Sequence, residues 1–211
     1  MKPRSKKSSS GCIQLAAECY GGGLWHTWFD RDLGICGRVL VQKNDGVIEQ
    51  RLIKINRALV RIPNLCIHLQ TAEERKAFSI NKEDHLVPIL ATEVISQLGI
   101  DKSQIEKKEE NKDGWTEHQE SLLLELVASE INTEVENIVD FELNLFDIQP
   151  ASLGGIYSEF IHSSRMDNHA TCFMATQGLI EYVEEKNDFE MDEDISLIVL
   201  FDHEEIGSSS A

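Results

Sequence analysis

Two adjacent carboxylates, Glu204 and Glu205, follow directly after the apolar stretch Ile195–Phe201. This stretch is almost entirely apolar and β-favouring, which predicts a short buried strand of a parallel sheet. Ligands of open α/β sheets bind beyond the carboxyl ends of the strands, so the two glutamates are expected at the position of the functional site in such folds. Adjacent like charges repel, and the pair is tolerated if one carboxylate ligates a metal and the other takes a proton. The competing interpretation is a solvated acidic loop.

A third carboxylate, Asp167, lies upstream in the stretch Ser163–Ala170. Aspartate is a favoured N-cap residue, and the following sequence predicts a helix from Asn168 to about Glu184. The apolar face of that helix is expected to include Phe173, Leu179, Tyr182 and Val183. A helix followed by a buried strand is typical of an α/β domain. The residue types by themselves leave two roles open for Asp167, a helix cap or a metal ligand.

Six short motifs occur in order along the chain: Tyr20–Trp25 (YGGGLW), Thr27–Leu33 (TWFDRDL), His85–Ala91 (HLVPILA), Gln149–Gly155 (QPASLGG), Arg165–Asn168 (RMDN) and Asp202–Ser208 (DHEEIGS). Together they resemble the aspartyl aminopeptidases, which are two-metal zinc exopeptidases that remove acidic residues from peptide N-termini. The similarity runs from about Glu18 to Ala211, and the number of separate motifs in the right order makes it specific.

The resemblance implies an α/β zinc-peptidase catalytic domain, present here in part, with an inserted β-rich dimerisation domain. It implies two zinc ions per complete active site, with Asp167 as the bridging ligand, Glu205 as a ligand to one ion and Glu204 as the general base. The chemistry agrees in type, because zinc accepts carboxylate ligands and a dinuclear peptidase needs a base for the shared water. His68 is implied to reach across the dimer and bind the substrate in the neighbouring active site. The alternative for His68 is a surface or strand-packing histidine.

The resemblance also implies metal ligands that this chain does not contain. In the family, one histidine ligand precedes the Tyr20–Trp25 motif, and the remaining aspartate and histidine ligands lie beyond the position of Ala211. The chain is therefore expected to be a middle section of an aspartyl aminopeptidase and to be inactive in isolation. The alternative is a non-catalytic oligomerisation fragment or a truncated gene product of the same family.

The composition argues against several other classes of function. The 211 residues include 37 Asp and Glu and 20 Lys and Arg, for a formal net charge of −17. Such a chain is not expected to bind nucleic acid, because phosphate binding needs basic surfaces. No apolar run approaches the ~18 residues that span a bilayer, so no membrane partner is expected. The expected partners are peptides with acidic N-terminal residues and further copies of the chain. Acidic peptides are repelled at long range, so selectivity for them needs local cations at the site.

The cysteines indicate a reducing compartment. There are five of them, and no two have C-x-x-C spacing, which argues against a disulfide framework or a cysteine zinc site. Buried, reduced thiols in a cytoplasmic protein are the expected case.

The composition along the chain predicts three segments. Residues 1–17 are basic and serine-rich at their start and are predicted to be a disordered tail. Residues 18–150 are predicted to form the β-rich dimerisation domain, and residues 151–211 the partial α/β catalytic domain.

Local patterns predict the elements of the β-rich segment. Asn44-Asp45-Gly46 between two β-rich runs predicts a hairpin with a primed turn. The alternation from Leu65 to Leu69 predicts a short strand with His68 on the face away from the local core. A proline at the start and Gly99 at the end predict a helix over Pro88–Leu98.

Two further elements are predicted before residue 150. Thr116 and Gln119 have the spacing of a capping box before a helix with Leu123, Leu126, Val127 and Ile131. The alternation over Val139–Leu145 predicts a half-buried strand.

Overall fold

The computed structural model describes residues 6–9, 11–94, 115–186, 189, 193–201 and 207. The chain divides into two compact units. Unit 1 comprises residues 1–19 and 23–148, and unit 2 comprises residues 20–22 and 149–211. Within the described residues, no helix is long and apolar enough to cross a membrane.

The framework of unit 1 is a six-stranded antiparallel sheet. Its strands are β1 (Lys6–Ser9), β2 (Cys12–Leu15), β3 (Asp32–Gln42), β4 (Ile48–Arg61), β5 (Ile89–Thr92) and β6 (Ile138–Asp147). Their order across the sheet is β1-β2-β5-β4-β3-β6. The helices α1 (Ala72–Lys76) and α2 (Ser121–Glu130) belong to the same unit. Short 3₁₀ turns lie at Trp25–Trp28, Ile67–Leu69, Thr116–His118 and Val135–Asn137.

The core of unit 1 is formed by side chains of the sheet and of α2. The buried side chains of β3 alternate along the strand as a period of two requires: Leu33, Ile35, Val39 and Val41. Leu123 and Val127 lie one turn apart on α2 and join the same cluster. Full burial of one such side chain contributes roughly 1.5–3 kcal/mol, so this cluster dominates the stability of the unit.

The predicted hairpin is confirmed, but its turn differs from the prediction. The Lys43 N–H donates to the Val47 carbonyl at 2.9 Å, and the Gly46 N–H donates to the Lys43 carbonyl at 2.9 Å. These bonds leave a three-residue loop in which only Gly46 has a positive φ, of 82°. A primed two-residue turn is therefore absent, and the loop has the geometry that favours glycine at its third position. The Asp45 carboxylate accepts a bond from the Val47 N–H at 3.0 Å.

The prediction of a disordered tail over residues 1–17 is wrong for the part that the structure describes. Residues Lys6–Ser9 pair with Cys12–Leu15, and Cys12–Leu15 pairs in turn with β5. Ile13 is nearly buried and Leu15 is fully buried. The composition of the first residues is polar, but alternating apolar side chains at Ile13 and Leu15 fit a pleated surface with one buried face.

The predicted helix over Pro88–Leu98 is also wrong at its start. Residues Ile89–Thr92 form β5, which pairs with β2 and contacts β4 at Arg61. The Leu15 N–H donates to the Pro88 carbonyl at 3.0 Å, so the chain is already extended at that proline. A neighbouring strand outweighs the local helical pattern, since helix propensity is a weak prior that tertiary contacts override. The end of the predicted helix lies outside the described residues.

The helix and the strand predicted before residue 150 are both present. α2 is confirmed, but Thr116 belongs to a separate 3₁₀ turn, and the N-cap of α2 is Glu120, with no side-chain cap bond. The strand predicted over Val139–Leu145 is confirmed within β6. In β6, Leu143 is buried while Asp140 and Glu142 are exposed, as the alternation predicts.

A polar contact joins the sheet to the end of α2. The Arg51 guanidinium donates to the Ile131 carbonyl at 3.0 Å and lies 3.2 Å from the Glu49 carboxylate. Hydrogen bonds from the side chains of Lys43 and Arg51 hold the pKa of Glu49 below its usual range. Exposed ion pairs add little stability, so the main effect of Arg51 is to fix the chain after α2 against β4.

Unit 2 contains a small hairpin and a long helix. The strands β7 (Ser152–Gly154) and β8 (Phe160–His162) pair antiparallel, and α3 spans Met166–Glu185. None of the residues of α3 is buried. The apolar face that the sequence predicts is exposed, since Phe173 has 68% of its surface accessible and Val183 has 50%.

The buried parallel strand predicted over Ile195–Phe201 is wrong in this structure. These residues adopt no strand, and Ile195 and Leu197 are 93% and 77% exposed. A strand is defined by its hydrogen-bonded neighbour, and the described residues of unit 2 pair only between β7 and β8. Apolar composition alone therefore did not produce the strand.

We expect Gly37→Ala to destabilise unit 1 strongly. A Cβ at this position would lie 2.0 Å from the Glu142 carbonyl oxygen, and β3 is bonded to a strand on each side. Overpacking of this kind costs up to about 3 kcal/mol of unfolding free energy, measurable by urea denaturation.

Gly46→Ala is the matched control, because a Cβ there meets nothing within 4 Å and only the positive φ is strained. Its expected cost is about 1 kcal/mol. Equal losses for the two variants would contradict the packing explanation.

Candidate active site

Of the four site residues predicted from the sequence, the structure describes two. Asp167 lies at the start of α3 in unit 2, and His68 lies in unit 1. Glu204 and Glu205 lie outside the described residues. The structure therefore gives the local setting of Asp167 and of His68, each within its own unit.

The backbone around Asp167 departs from a regular helix. Arg165 has left-handed dihedral angles (φ 61°, ψ 23°), and Asp167 has an extended conformation (φ −83°, ψ 116°). Asn168 is also non-helical, and the peptide bond between Asp167 and Asn168 is cis. Regular helical geometry therefore begins only after Asn168, and Asp167 precedes it on a bent segment.

The Asp167 carboxylate does not act as a helix cap. Its side chain is exposed, and it accepts no hydrogen bond within the described part of the chain. An N-cap aspartate accepts a bond from a backbone N–H of the first turn, and that contact is missing. Of the two roles that the sequence left open, the geometry therefore favours a carboxylate available to an external group.

The residues that surround Asp167 in sequence are polar and mostly exposed. The Cys172 thiol lies 3.5 Å from the Asn168 side-chain oxygen, and His169 is exposed. The Ser164 hydroxyl oxygen is buried and has no hydrogen-bond partner in the described residues. In β7, a Cβ at Gly154 would lie 2.2 Å from the His162 ring, so glycine is needed to seat that ring. Sequence reasoning missed both features, since neither has a local signature.

His68 lies on a turn rather than on a strand, so the strand predicted over Leu65–Leu69 is wrong. Residues Ile67–Leu69 form a 3₁₀ turn, in which the Leu69 N–H donates to the Cys66 carbonyl at 3.0 Å. The Gln70 side chain also donates to the Leu65 carbonyl, at 2.6 Å. The hydrogen bond from Gln70 to Leu65 therefore favours a turn, although the alternation of apolar residues predicts a strand.

The environment of His68 is nevertheless open to solvent. The His68 side chain is exposed, as are Leu65 (48%), Ile67 (58%) and Leu69 (70%). A capping box formed by Thr71 and Glu74 begins α1 directly after the turn. The start of α1 thus fixes the point at which the turn ends. The imidazole is thus held on a defined turn outside the core of unit 1, which excludes the strand-packing role within that unit.

An open pocket of about 420 Å³ lies in unit 1 and is lined by His26, Phe29, Asn64 and Phe78. Phe29 and Phe78 meet edge to face with their ring centroids 5.2 Å apart. Asn64 is four residues from His68 in sequence. No local sequence pattern predicts this pocket, because its residues come from three separate segments.

The described residues do not by themselves form a zinc site. No group of three His, Cys, Asp or Glu side chains in the described part of the chain is arranged to hold a metal ion. Zinc sites need three or four protein ligands, and an exposed carboxylate that accepts no hydrogen bond in the described residues, such as that of Asp167, is a suitable ligand. The described residues thus offer a suitable zinc ligand at Asp167 and do not contain the complete set of ligands.

Comparison with known proteins identifies the class. The family described as aminopeptidase I zinc metalloprotease (M18) matches residues 1–211. The chain belongs to this M18 family, and the resemblance to aspartyl aminopeptidases is confirmed.

Individual relatives agree with this assignment. The aspartyl aminopeptidase of Aspergillus oryzae is 42% identical over 223 residues, which cover 100% of this chain and 44% of the relative. Aspartyl aminopeptidase 1 of Schizosaccharomyces pombe is 42% identical, with 100% and 43% covered. A chain in the cryo-EM structure of the Ape4 and Nbr1 complex superimposes with a TM-score of 0.80 at 41% identity, over 99% of this chain and 39% of that chain. The chain thus spans less than half the length of the relatives that it matches.

We expect His68→Phe and Asp167→Asn to leave the stability of the metal-free chain nearly unchanged. Both side chains are exposed, and neither makes a hydrogen bond within the described residues. Surface substitutions of this kind change the unfolding free energy by about 0.5 kcal/mol or less, measurable by urea denaturation.

The positive control is Leu33→Ala, which removes a fully buried side chain and should cost about 2–5 kcal/mol. A comparable loss in either surface variant would show that its side chain supports the fold.

Proposed function

We propose that this chain is the central part of a zinc aminopeptidase that hydrolyses N-terminal Asp or Glu from peptides. The observation that carries the proposal is the Asp167 carboxylate, exposed and without a hydrogen bond in the described residues, on the bent segment before a regular helix. A family match over the whole chain supports it, as do relatives that carry the name aspartyl aminopeptidase.

Each carboxylate has a distinct proposed role. With zinc bound, Asp167 would be the ligand shared by the two metal ions, Glu205 would be a ligand to one of them, and Glu204 would accept the proton of the attacking water. Bound zinc supplies a positive charge that favours deprotonation of water near neutral pH. It also offsets the repulsion that three neighbouring carboxylates would otherwise experience. Glu204 and Glu205 have different proposed roles, because a general base must remain unbound to the metal in order to accept the proton.

The proposed architecture assigns different tasks to the two units. Unit 2 is part of the catalytic domain, and unit 1 is an inserted dimerisation domain that carries His68. The exposed apolar side chains of Leu65, Ile67 and Leu69 support a contact surface around His68. Among the solved relatives, the Saccharomyces cerevisiae protein mApe1 is a dodecamer. We propose that this chain also assembles into a higher homo-oligomer in the cytoplasm.

The experiment that tests the proposed function joins this chain at both ends to the flanking segments of the Aspergillus oryzae aspartyl aminopeptidase. This joined protein, here called the restored enzyme, should release Asp from Asp-p-nitroanilide when loaded with zinc. The chain on its own should show little or no turnover, because its described residues hold no complete metal site. An inactive restored enzyme that is folded and zinc-loaded would refute the proposal.

In the restored enzyme, Glu204→Gln should abolish turnover and leave the zinc content nearly unchanged. Loss of a general base typically costs ~10²–10⁴-fold in kcat. Glu205→Gln should lower the zinc content as well, because it removes a ligand. Zinc is measured by elemental analysis of the purified variants, and equal zinc loss in both would mean that the two roles are wrongly assigned.

His68→Phe should lower kcat strongly in the restored enzyme, with the dimer and the zinc content intact. Removal of one donor to developing negative charge costs ~10²–10³-fold. If His68 serves the neighbouring site, mixing His68→Phe subunits with Glu204→Gln subunits should restore activity, since one site of each mixed dimer has neither defect. Mixed dimers that form and remain inactive would exclude the action across the dimer.

A further inference from the structure

The pocket lined by His26, Phe29, Asn64 and Phe78 has no role in the function proposed above. Its volume of about 420 Å³ lies within the range that is typical of ligand-binding pockets. All four lining residues belong to unit 1, so this unit forms the pocket by itself. The pocket is therefore a candidate binding site that is separate from the carboxylates assigned to the metal.

The walls of the pocket are held in place by contacts within unit 1. Phe29 packs against the core cluster and meets Phe78 edge to face, with 5.2 Å between the ring centroids. The Asp30 carboxylate accepts a hydrogen bond from the Asn64 N–H at 3.1 Å, and the Asp30 N–H donates to the Ile62 carbonyl at 2.9 Å. These bonds join the segment of Asn64 to the segment of Phe29. A pocket whose walls are fixed in advance costs less conformational entropy to occupy.

The side chains of the pocket match a peptide segment that carries a large apolar side chain. Phe29 and Phe78 present aromatic surface, and Phe78 is 49% exposed. The His26 ring and the Asn64 amide are exposed and form no hydrogen bond within the described residues. An imidazole and an amide supply both donors and acceptors, which is what the N–H and C=O groups of a peptide require. No lysine or arginine is among the described residues that line the pocket, so an anionic ligand is not favoured.

The pocket lies close to His68 along the chain. Asn64 precedes His68 by four residues, and four residues span at most about 14 Å even when fully extended. The segment between them is shorter than that, because the Gln70 side chain donates to the Leu65 carbonyl at 2.6 Å across the turn. In the proposed function His68 binds the substrate. Since an extended peptide residue covers about 3.5 Å, the pocket is within reach of the residues that follow the N-terminal one.

We infer that the pocket binds a large apolar side chain of the peptide substrate, two to five residues from the N-terminus of that peptide. This inference rests on the proposed function, because the proposed role of His68 places the substrate beside unit 1. The two aromatic rings cover the apolar side chain, and His26 and Asn64 bond to the peptide backbone. The pocket thus adds a preference for residues that follow the acidic one.

A set of five-residue peptides tests the inference in the restored enzyme. Each peptide has Asp followed by four Ala, and Phe replaces one Ala at a time. At one position Phe should raise kcat/KM about 10-fold, which is the lower end of the effect of burying one such side chain, since the pocket is open. In Phe78→Ala this gain should fall below about threefold, because the ring that covers the side chain is missing.

Asn64→Leu provides a second variant, and it supplies the test if Phe78→Ala does not fold. This substitution removes the amide and keeps a side chain of similar size. It should lower kcat/KM for the preferred peptide about 2–10-fold, the effect of losing one hydrogen bond.

The matched control is Leu52→Ala, which removes an exposed apolar side chain of unit 1 that does not line the pocket. Its gain from Phe should equal that of the unsubstituted enzyme. The inference is overturned if Phe gives no gain at any of the four positions, or if the gain is the same in both pocket variants as in the unsubstituted enzyme. It is also overturned if either pocket variant converts dimers to monomers in light scattering, since a second copy of the chain would then cover the pocket.

A binding measurement on the chain by itself separates this inference from the proposed function. Trp25 and Trp28 are adjacent in sequence to His26 and Phe29, so tryptophan fluorescence reports on occupation of the pocket. The preferred Phe peptide should give a saturable change that Phe78→Ala removes, and the peptide with four Ala should give none. Binding through Phe78 together with an inactive restored enzyme refutes the proposed function alone. An active restored enzyme whose chain binds no peptide through Phe78 refutes the role of the pocket alone.

Discussion

The pairing of β3 on both of its edges is the constraint on which unit 1 depends. β3 pairs with β4 from Asp32 to Gln42, with a register shift between Leu33 and Ile35, and with β6 from Leu33 to Val41, with a register shift between Leu40 and Val41. Neither neighbour can move away without breaking a ladder of backbone bonds, and an unpaired buried backbone group is costly. At Gly37 the β6 backbone approaches so closely that no Cβ fits. Core side chains of β3, β4 and α2 form one cluster, and β5 and β2 extend the sheet beyond β4.

Charges follow different patterns in the two units. In unit 1 several arginines pair with carboxylates of the sheet and its flanking segments, for example Arg61 with Asp32 at 2.8 Å. These contacts position the chain. In unit 2 the segment before the helix carries Arg165 and Asp167 without internal partners in the described residues. Unpaired opposite charges on one exposed segment are the physical basis for assigning function to unit 2 and a framework role to the sheet.

Apolar side chains are also distributed differently in the two units. The sheet of unit 1 buries its apolar residues in one cluster together with α2. In unit 2 the described residues leave Ile156 92% exposed and Phe173 68% exposed. Contiguous exposed apolar surface marks sites of contact with other protein segments. The proposed membership of unit 2 in a larger catalytic domain places such contacts in this part of the chain.

The sequence by itself determined the elements whose signals are local. The hairpin depends on Asp45-Gly46, α2 on its apolar spacing, and β6 on strict alternation, and all three are present because neighbouring residues are sufficient to specify them. The motif resemblance likewise identified the family, since motif order is a property of the sequence alone. It also selected Asp167 as a candidate, although its type and position alone fit a helix cap equally well.

Only the tertiary structure decided the elements that need a partner distant in sequence. Cys12–Leu15 and Ile89–Thr92 became strands because they pair with each other, and local composition contains no trace of that pairing. Ile195–Phe201 has the composition of a strand, yet it forms none where no described strand pairs with it. The same holds for the sites: the bent segment at Asp167 and the pocket beside Phe29 and Phe78 are products of the fold. Hydrogen bonds and ion pairs between distant segments are three-dimensional contacts, so a one-dimensional pattern does not specify them.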